Sequence, residues 1–313
     1  MKSISGRVVQ VLVLVLLVGG NVFAQDTLSF LHISDTHLIF NLECFQEDLA
    51  ENRKGYKNGV EPLKKFLATM PQKTGSDWVV ATGDLIDFYE GENKKGEMMD
   101  FQLEQLIRLT EICRVPCFFT LGNHDIISYF WGDGQRISHQ SQSVKAEAAW
   151  TRNAACFKDG TYYSKVYDVD ETTYRLLFLN DSYYDFSDEE NIPLPYVDKI
   201  QLHWLEAQLA KSDEDVEIIF MHIPFHEEMM TSDNLPELFS VLKKYPSVKL
   251  MMAGHNHKNM IRSYPVENGN ELIQVKTGAF ASGSESWRQI KLTRDKILIS
   301  KPGSTENEKV IPF

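Results

Sequence analysis

The chain has 313 residues, 43% hydrophobic and 24% charged, a balance that excludes both a disordered polymer and a membrane-embedded protein. Its formal net charge of −12 speaks against a nucleic-acid polymer as partner, because long-range repulsion opposes the encounter. The four cysteines (Cys44, Cys113, Cys117 and Cys156) form no C-x-x-C pair or zinc-finger spacing, which leaves buried thiols or one or two disulfides open.

The first 24 residues read as an export signal rather than as part of a core. Lys2 and Arg7 give a positive start, Val8–Val18 is apolar except for Gln10, and Gly19, Gly20 and Asn21 break the run. Val22-Phe23-Ala24 then supplies small residues at the −3 and −1 positions of a cleavage site. The apolar stretch is shorter than the ~20 residues a spanning helix needs, so no stable membrane insertion is expected after cleavage. An uncleaved anchor is the alternative. Removal of this segment takes away two positive charges and moves the net charge from −12 to −14. What remains, 25–313, has no linker and reads as one exported domain, periplasmic or secreted.

From Leu28 onward, apolar runs of strand length alternate with amphipathic stretches. Strands are expected at 28–34, 77–82, 117–121, 174–180, 216–222 and 248–253, followed by 271–277, 286–293 and 296–300. Helical spacing marks 59–70, 97–113, 143–154, 198–211 and 234–245. Such alternation predicts an α/β fold, with the last three strands as a meander. Long loops are expected at 85–96, 125–142 and 181–197.

The polar residues gather where the strands end. Leu28–Ile33 runs into Asp35-Thr36-His37; Trp78–Ala81 into Gly83-Asp84, with Asp87 beyond; Phe118–Leu121 into Gly122-Asn123-His124-Asp125. Ile218–Met221 runs into His222, and Leu250–Ala253 into Gly254-His255-Asn256-His257. Five of the nine histidines fall at these ends, at the edge where open α/β sheets bind ligands. Each motif alone is weak, and Gly83, Gly122 and Gly254 could be turn residues. Their order and number together carry the reading.

The set D-x-H, G-D, G-N-H-[DE], H and G-H-x-H, in that order, resembles the calcineurin-like metallophosphoesterases over about residues 28 to 300. Ile33–Leu38 and Leu202–Leu209 are similar to the cyclic-nucleotide-phosphodiesterase-like branch. The resemblance implies a four-layer α/β/β/α sandwich of two mixed β-sheets flanked by helices, with the metal site at the strand C-terminal ends. It implies two divalent ions (Mn, Fe, Zn or Co), one on Asp35, His37 and His257, the other on Asn123, His222 and His255. Asp84 bridges them, and a bridging hydroxide attacks phosphorus. It further implies His124 as the catalytic residue on the leaving-group side, with Asp125 holding its imidazole and raising its pKa. The expected substrate is a small phosphoester, phosphodiesters favoured over phosphomonoesters, with a non-catalytic binding protein as the remaining alternative.

Other polar residues carry less. Asp87 either backs a metal-binding histidine or starts a helix. Asn180, Asp181, Tyr183 and Tyr184 form a loop that could wall a substrate pocket. His32, inside a strand, reads as a satisfied core histidine.

Overall fold

The computed structural model describes residues 26–132, 135–139, 143–186, 193–211, 215–225, 235–266 and 269–313; the expected signal segment 1–24 lies outside them. Rings from strands of two different sheets meet between them: Phe30 lies edge-on 5.6 Å from Phe220, and Phe118 lies tilted 5.8 Å from Phe178. This aromatic layer exists because strand periodicity sends alternate side chains to opposite faces, and both faces here are buried.

The first sheet has the order Asn307–Pro312, Lys296–Ser300, Arg288–Leu292, Leu28–Ile33, Trp78–Thr82, Cys117–Thr120. Leu28–Ile33 is parallel to Trp78–Thr82, and antiparallel to Arg288–Leu292. The second has the order Met260–Pro265, Glu271–Lys276, Val248–Ala253, Val216–Phe220, Thr172–Phe178, Tyr163–Val169, antiparallel only at its two edges. Leu177, Ile219 and Met251, on the outer face of the second sheet, pack with Leu202 and Leu205 of helix Lys199–Leu209 and Leu238 of helix Pro236–Leu242. Leu63, Phe66 and Leu67 of helix Val60–Thr74 and Leu103 and Leu106 of helix Gln102–Thr110 join the cluster that holds the first sheet. The fold is the expected sandwich of two mixed sheets flanked by helices.

Four expectations need correction, the first being the loops at 85–96, 125–142 and 181–197, which carry Glu90–Glu92, Ser128–Gly132, Gln135–His139, Tyr183–Phe186 and Pro193–Tyr196 as strands of two small sheets. The last expected strands do not form one meander: Glu271–Lys276 lies in the second sheet, and the chain then crosses to the first. The crossing is fixed by Thr277 N to Ala253 O, Phe280 N to Ser34 O and Ala281 N to Asp35 O. The meander is instead completed by Asn307–Pro312. The helix expected over 97–113 starts later, at Gln102, because Met98–Met99 pairs with Glu90–Glu92 around a turn held by the Asn93 carboxamide. Tyr163–Val169, not expected as a strand, forms a hairpin with Thr172–Phe178 through Asp170 at φ 54°.

A small third core (Ile39, Leu42, Phe45, Leu49, Phe88 and Tyr129) anchors the segment between the first strand and helix Val60–Thr74, including helix Glu47–Arg53. All four cysteines are free thiols, and Cys44 is exposed. Among the described residues no helix is long and apolar enough to cross a membrane.

His32 is a core residue, as its strand position suggested. It is fully buried, with Nδ1 2.6 Å from Thr277 Oγ1 and Nε2 2.9 Å from Thr82 Oγ1. Burial, and then the charge of Arg288, lower its pKa to about 3. The unfolded chain therefore binds a proton near pH 6.5 that the folded chain refuses, so this stabilisation is present above pH 6.5 and lost as pH falls toward 3. We expect His32→Leu to flatten the acid-side stability slope by up to about 1.4 kcal/mol per pH unit, read from urea midpoints between pH 4 and 6.5. An unchanged slope would mean that His32 titrates normally.

Candidate metal centre

Five loops at the strand ends converge, and each is tied to another by a carboxylate. Asp35 accepts the His255 backbone N–H at 3.0 Å, Asp84 Oδ1 accepts that of His124 at 2.9 Å, and Asp181 accepts those of His222 and Ile223 at 2.9 and 2.8 Å. The fit leaves no room for a β-carbon at three glycines, among them Gly83, at φ 75°, where it would fall 2.5 Å from the His222 ring. At Gly254 it would overlap Ser34 Oγ and the Asp35 carboxylate, and at Gly122 the Asp84 backbone and side chain. Gly122 and Gly254 serve close approach, where the sequence suggested turns.

Asp35, His37 and His257 form one group of convergent donors, and Asp84, His222 and His255 a second. His257 Nε2 is 3.4 Å from Asp35 Oδ1 and 3.1 Å from His37 Nε2; His222 Nε2 is 3.3 Å from His255 Nδ1. Asp84 Oδ2 stands between the groups, 3.2 Å from His222 Nε2 and 3.6 Å from His37 Nε2. Donors that share an ion at about 2.0–2.2 Å have separations of this order.

The hydrogen bonds show what the cage lacks. His222 Nδ1 is 2.8 Å from the Thr82 carbonyl oxygen, which only accepts, so Nδ1 carries the hydrogen. His37 Nδ1 faces Asp87 Oδ1 at 3.0 Å in the same way. In both rings the Nε2 lone pair then points at the Asp84 carboxylate, an arrangement that only a cation satisfies. Burial would lower the His222 pKa, but the Asp84 and Asp35 charges push it up to about 10. The cage thus demands positive charge, supplied by a proton or by metal. Asn123 Oδ1 is buried without a hydrogen-bond partner. Asp35, His37, Asp84, His255 and His257 all sit at φ between 42° and 69°, the left-handed region where L-residues are strained. The mixed N and O donors fit two borderline divalent cations and do not fit calcium, which takes oxygen.

His124 lies at the margin of the cage. Its Nδ1 is 2.7 Å from the Asp87 carbonyl oxygen, so the hydrogen is on Nδ1 and Nε2 is free. Asp125 does not hold this ring, contrary to the sequence reading. Its two carboxylate oxygens accept the backbone N–H groups of Leu85, Ile86 and Gly122 at 2.8–3.0 Å, tying two strand-end loops together. Nor is the His124 pKa raised; burial holds it below the usual range. Asp87 starts no helix, and instead backs His37 with its carboxylate and His124 with its carbonyl. Sequence reasoning missed Arg53, whose guanidinium grips Asp87, and Tyr56, whose ring stacks on His37 at 4.7 Å. Beside the second sheet, a cavity of ≈ 260 Å³ is lined by Glu147, Thr161, Tyr162, Asn180, Tyr183 and Tyr196. Asn180 and Tyr183 line this cavity, and Asp181 is spent on the His222 loop.

Two sheets whose carboxyl ends deliver this donor set define a candidate dinuclear metal centre. A model of the calcineurin-like phosphoesterase family matches residues 28–259, and the chain belongs to that family. It is a metal-dependent phosphoric ester hydrolase. It is similar to the manganese-dependent ADP-ribose/CDP-alcohol diphosphatase of Xenopus tropicalis, 24% identical over 256 residues, 67% of this chain and 73% of the relative. The Bos taurus protein of the same name is 23% identical over 265 residues, 72% of this chain and 76% of that one. In fold it is similar to a dimetal phosphatase from Danio rerio, TM-score 0.64 at 17% identity, covering 91% of this chain and 99% of that one. GAP50, the anchor in the inner membrane complex of Plasmodium, has the same fold, TM-score 0.58 at 14% identity over 92% and 90% of the two chains.

If Asp125 is a loop tie, Asp125→Asn loses acceptor capacity for the three N–H groups and costs about 1–3 kcal/mol of stability, read from the thermal melt. The same variant, saturated with metal and kept below its melting temperature, retains most of its turnover. A stable variant with turnover down more than a hundredfold would restore the His124-partner role.

Proposed function

We propose that the enzyme is exported and cleaves small phosphoesters whose phosphorus carries two substituents, either two organic groups as in diesters or one organic group and a second phosphoryl group as in disubstituted diphosphates, with two divalent cations, manganese in the first instance. The observation that carries this reading is Asp84 Oδ2, placed between the two donor groups at 3.2 and 3.6 Å from their imidazoles. Asp35, His37 and His257 would hold one cation, Asn123, His222 and His255 the other, and Asp84 both. Bound there, the pair would supply Lewis acidity toward the phosphoryl oxygens and a water of lowered pKa.

The protein's own part is orientation and proton handling. Thr82 O and the Asp87 carboxylate fix the tautomers of His222 and His37 so that Nε2 faces inward. The Asp87 carbonyl fixes His124 with Nε2 free to meet a leaving oxygen. An arriving phosphoester anion adds the opposite charge that favours protonated His124, offsetting burial. Protonated Nε2 then donates to the departing oxygen.

The preference for disubstituted phosphorus is supported by the vertebrate relatives, whose name gives ADP-ribose and CDP-alcohols, nucleoside diphosphates carrying a second organic group. Export is supported by the layout of residues 1–24, and mass analysis of protein secreted by the native host should find Gln25 at its N-terminus. GAP50 motivates a non-catalytic reading, because an anchor shares the fold. The complete donor set with His124 in place favours catalysis.

Purified 25–313 should hydrolyse bis(nitrophenyl) phosphate faster than nitrophenyl phosphate, lose activity to EDTA and regain it with Mn²⁺. The reverse order of substrates would make it a phosphomonoesterase, and two bound metals without turnover would favour the binding role. His124→Ala should keep its metals and lose about 10²–10⁴-fold in rate.

A further inference from the structure

Asp87 is fully buried, and its carboxylate has two kinds of partner. One is His37, as described. The other is Arg53, the last residue of helix Glu47–Arg53: Nε donates to Oδ2 at 2.6 Å and Nη2 to Oδ1, a two-pronged grip. The same guanidinium lies over the ring of Tyr56, 4.9 Å from its centroid. That ring also stacks on His37, at 4.7 Å and 18°. Arg53, Asp87, His37 and Tyr56 therefore form a closed circuit around one imidazole, held at its edge by a carboxylate and on its face by a phenol ring.

We propose that Arg53 and Tyr56 are positioning residues for the metal half-site of Asp35, His37 and His257, an assignment that rests on the dinuclear reading above. A buried carboxylate with one hydrogen-bonded imidazole could rotate, and its charge would be poorly compensated. The arginine fork fixes both oxygens in one plane and supplies the countercharge, so Asp87 Oδ1 stays on His37 Nδ1 and the Nε2 lone pair stays turned inward. Tyr56 fixes the tilt of the ring about that hydrogen bond. The clamp is firm because Leu49 of the same helix is buried with Phe45, Phe88 and Tyr129. No comparable arginine reaches the other half-site among the described residues: His222 is oriented by a backbone carbonyl. The two sites should therefore respond differently to loss of the clamp.

The test is a stepwise Mn²⁺ titration of metal-free protein, followed by calorimetry and by EPR of free Mn²⁺. Arg53→Met, which keeps the stem and removes the fork, should weaken one of two manganese sites by about 10–100-fold and leave the other within twofold. Arg53→Lys should restore only part of the loss, because a single ammonium cannot hold both oxygens. Tyr56→Leu should weaken the same site about two- to tenfold. At saturating Mn²⁺ the kcat of all three should return to within a few-fold of wild type. Unchanged binding constants, or equal weakening of both sites, would overturn the proposal while leaving the dinuclear reading intact. Wild-type protein that binds no manganese would overturn both. If Arg53→Met does not fold, Arg53→Lys and Tyr56→Leu decide the matter on the same readout.

Discussion

Three buried carboxylates, Asp35, Asp84 and Asp87, lie among the imidazoles of the site, with Nε2 lone pairs turned toward Asp84, and their charge is the constraint that the surrounding structure serves. Left alone, such a cluster is costly in a protein interior. Each carboxylate therefore has fixed work: Asp35 on the His255 backbone, Asp84 on the His124 backbone, Asp87 on His37 and Arg53. The remaining demand for positive charge defines the site. Backbone strain at five candidate ligands, and the glycine contacts at 122 and 254, hold those charges close together.

The strand ends were legible because two signals coincide there. A buried strand is an apolar run, and its end is abrupt when the next residues are Asp, His or Asn. The strands that were missed lack this contrast. Tyr163–Val169 lies along a sheet edge and carries Ser164, Lys165 and Asp168, so it offers no unbroken apolar run to mark it as a strand. Glu271–Lys276 was found, but its sheet was not, since adjacency in sequence says nothing about the crossing at Thr277–Ala281.

At the site, the family resemblance implied Asp35, His37, Asp84, Asn123, His222, His255 and His257 as ligands, and the fold gathers six of them into two donor groups, while Asn123 Oδ1 is buried without a hydrogen-bond partner. The partners of His124 were not found. Asp125 follows it in sequence, but in the turn His124–Ile126 successive side chains diverge, so the neighbour in sequence is not the neighbour in space. Arg53 and Tyr56 sit on a short helix and turn with no motif of their own, and one arginine three residues before a tyrosine is too common to signal anything. Only the docking of that segment over Asp87 gives them meaning.

The donors that converge on this pocket come from both ends of the chain, the first at Asp35 and the last at His257, and Ala281 still has to bond back to Asp35 O. No half-finished chain can assemble the pair of sites, because the first donors wait for strands more than two hundred residues later. Metal capture is then one of the last events of maturation. The ion that ends up bound is chosen by whatever supply surrounds the chain when its final strands dock, so loading reports on the place of folding as much as on the preference of the ligands.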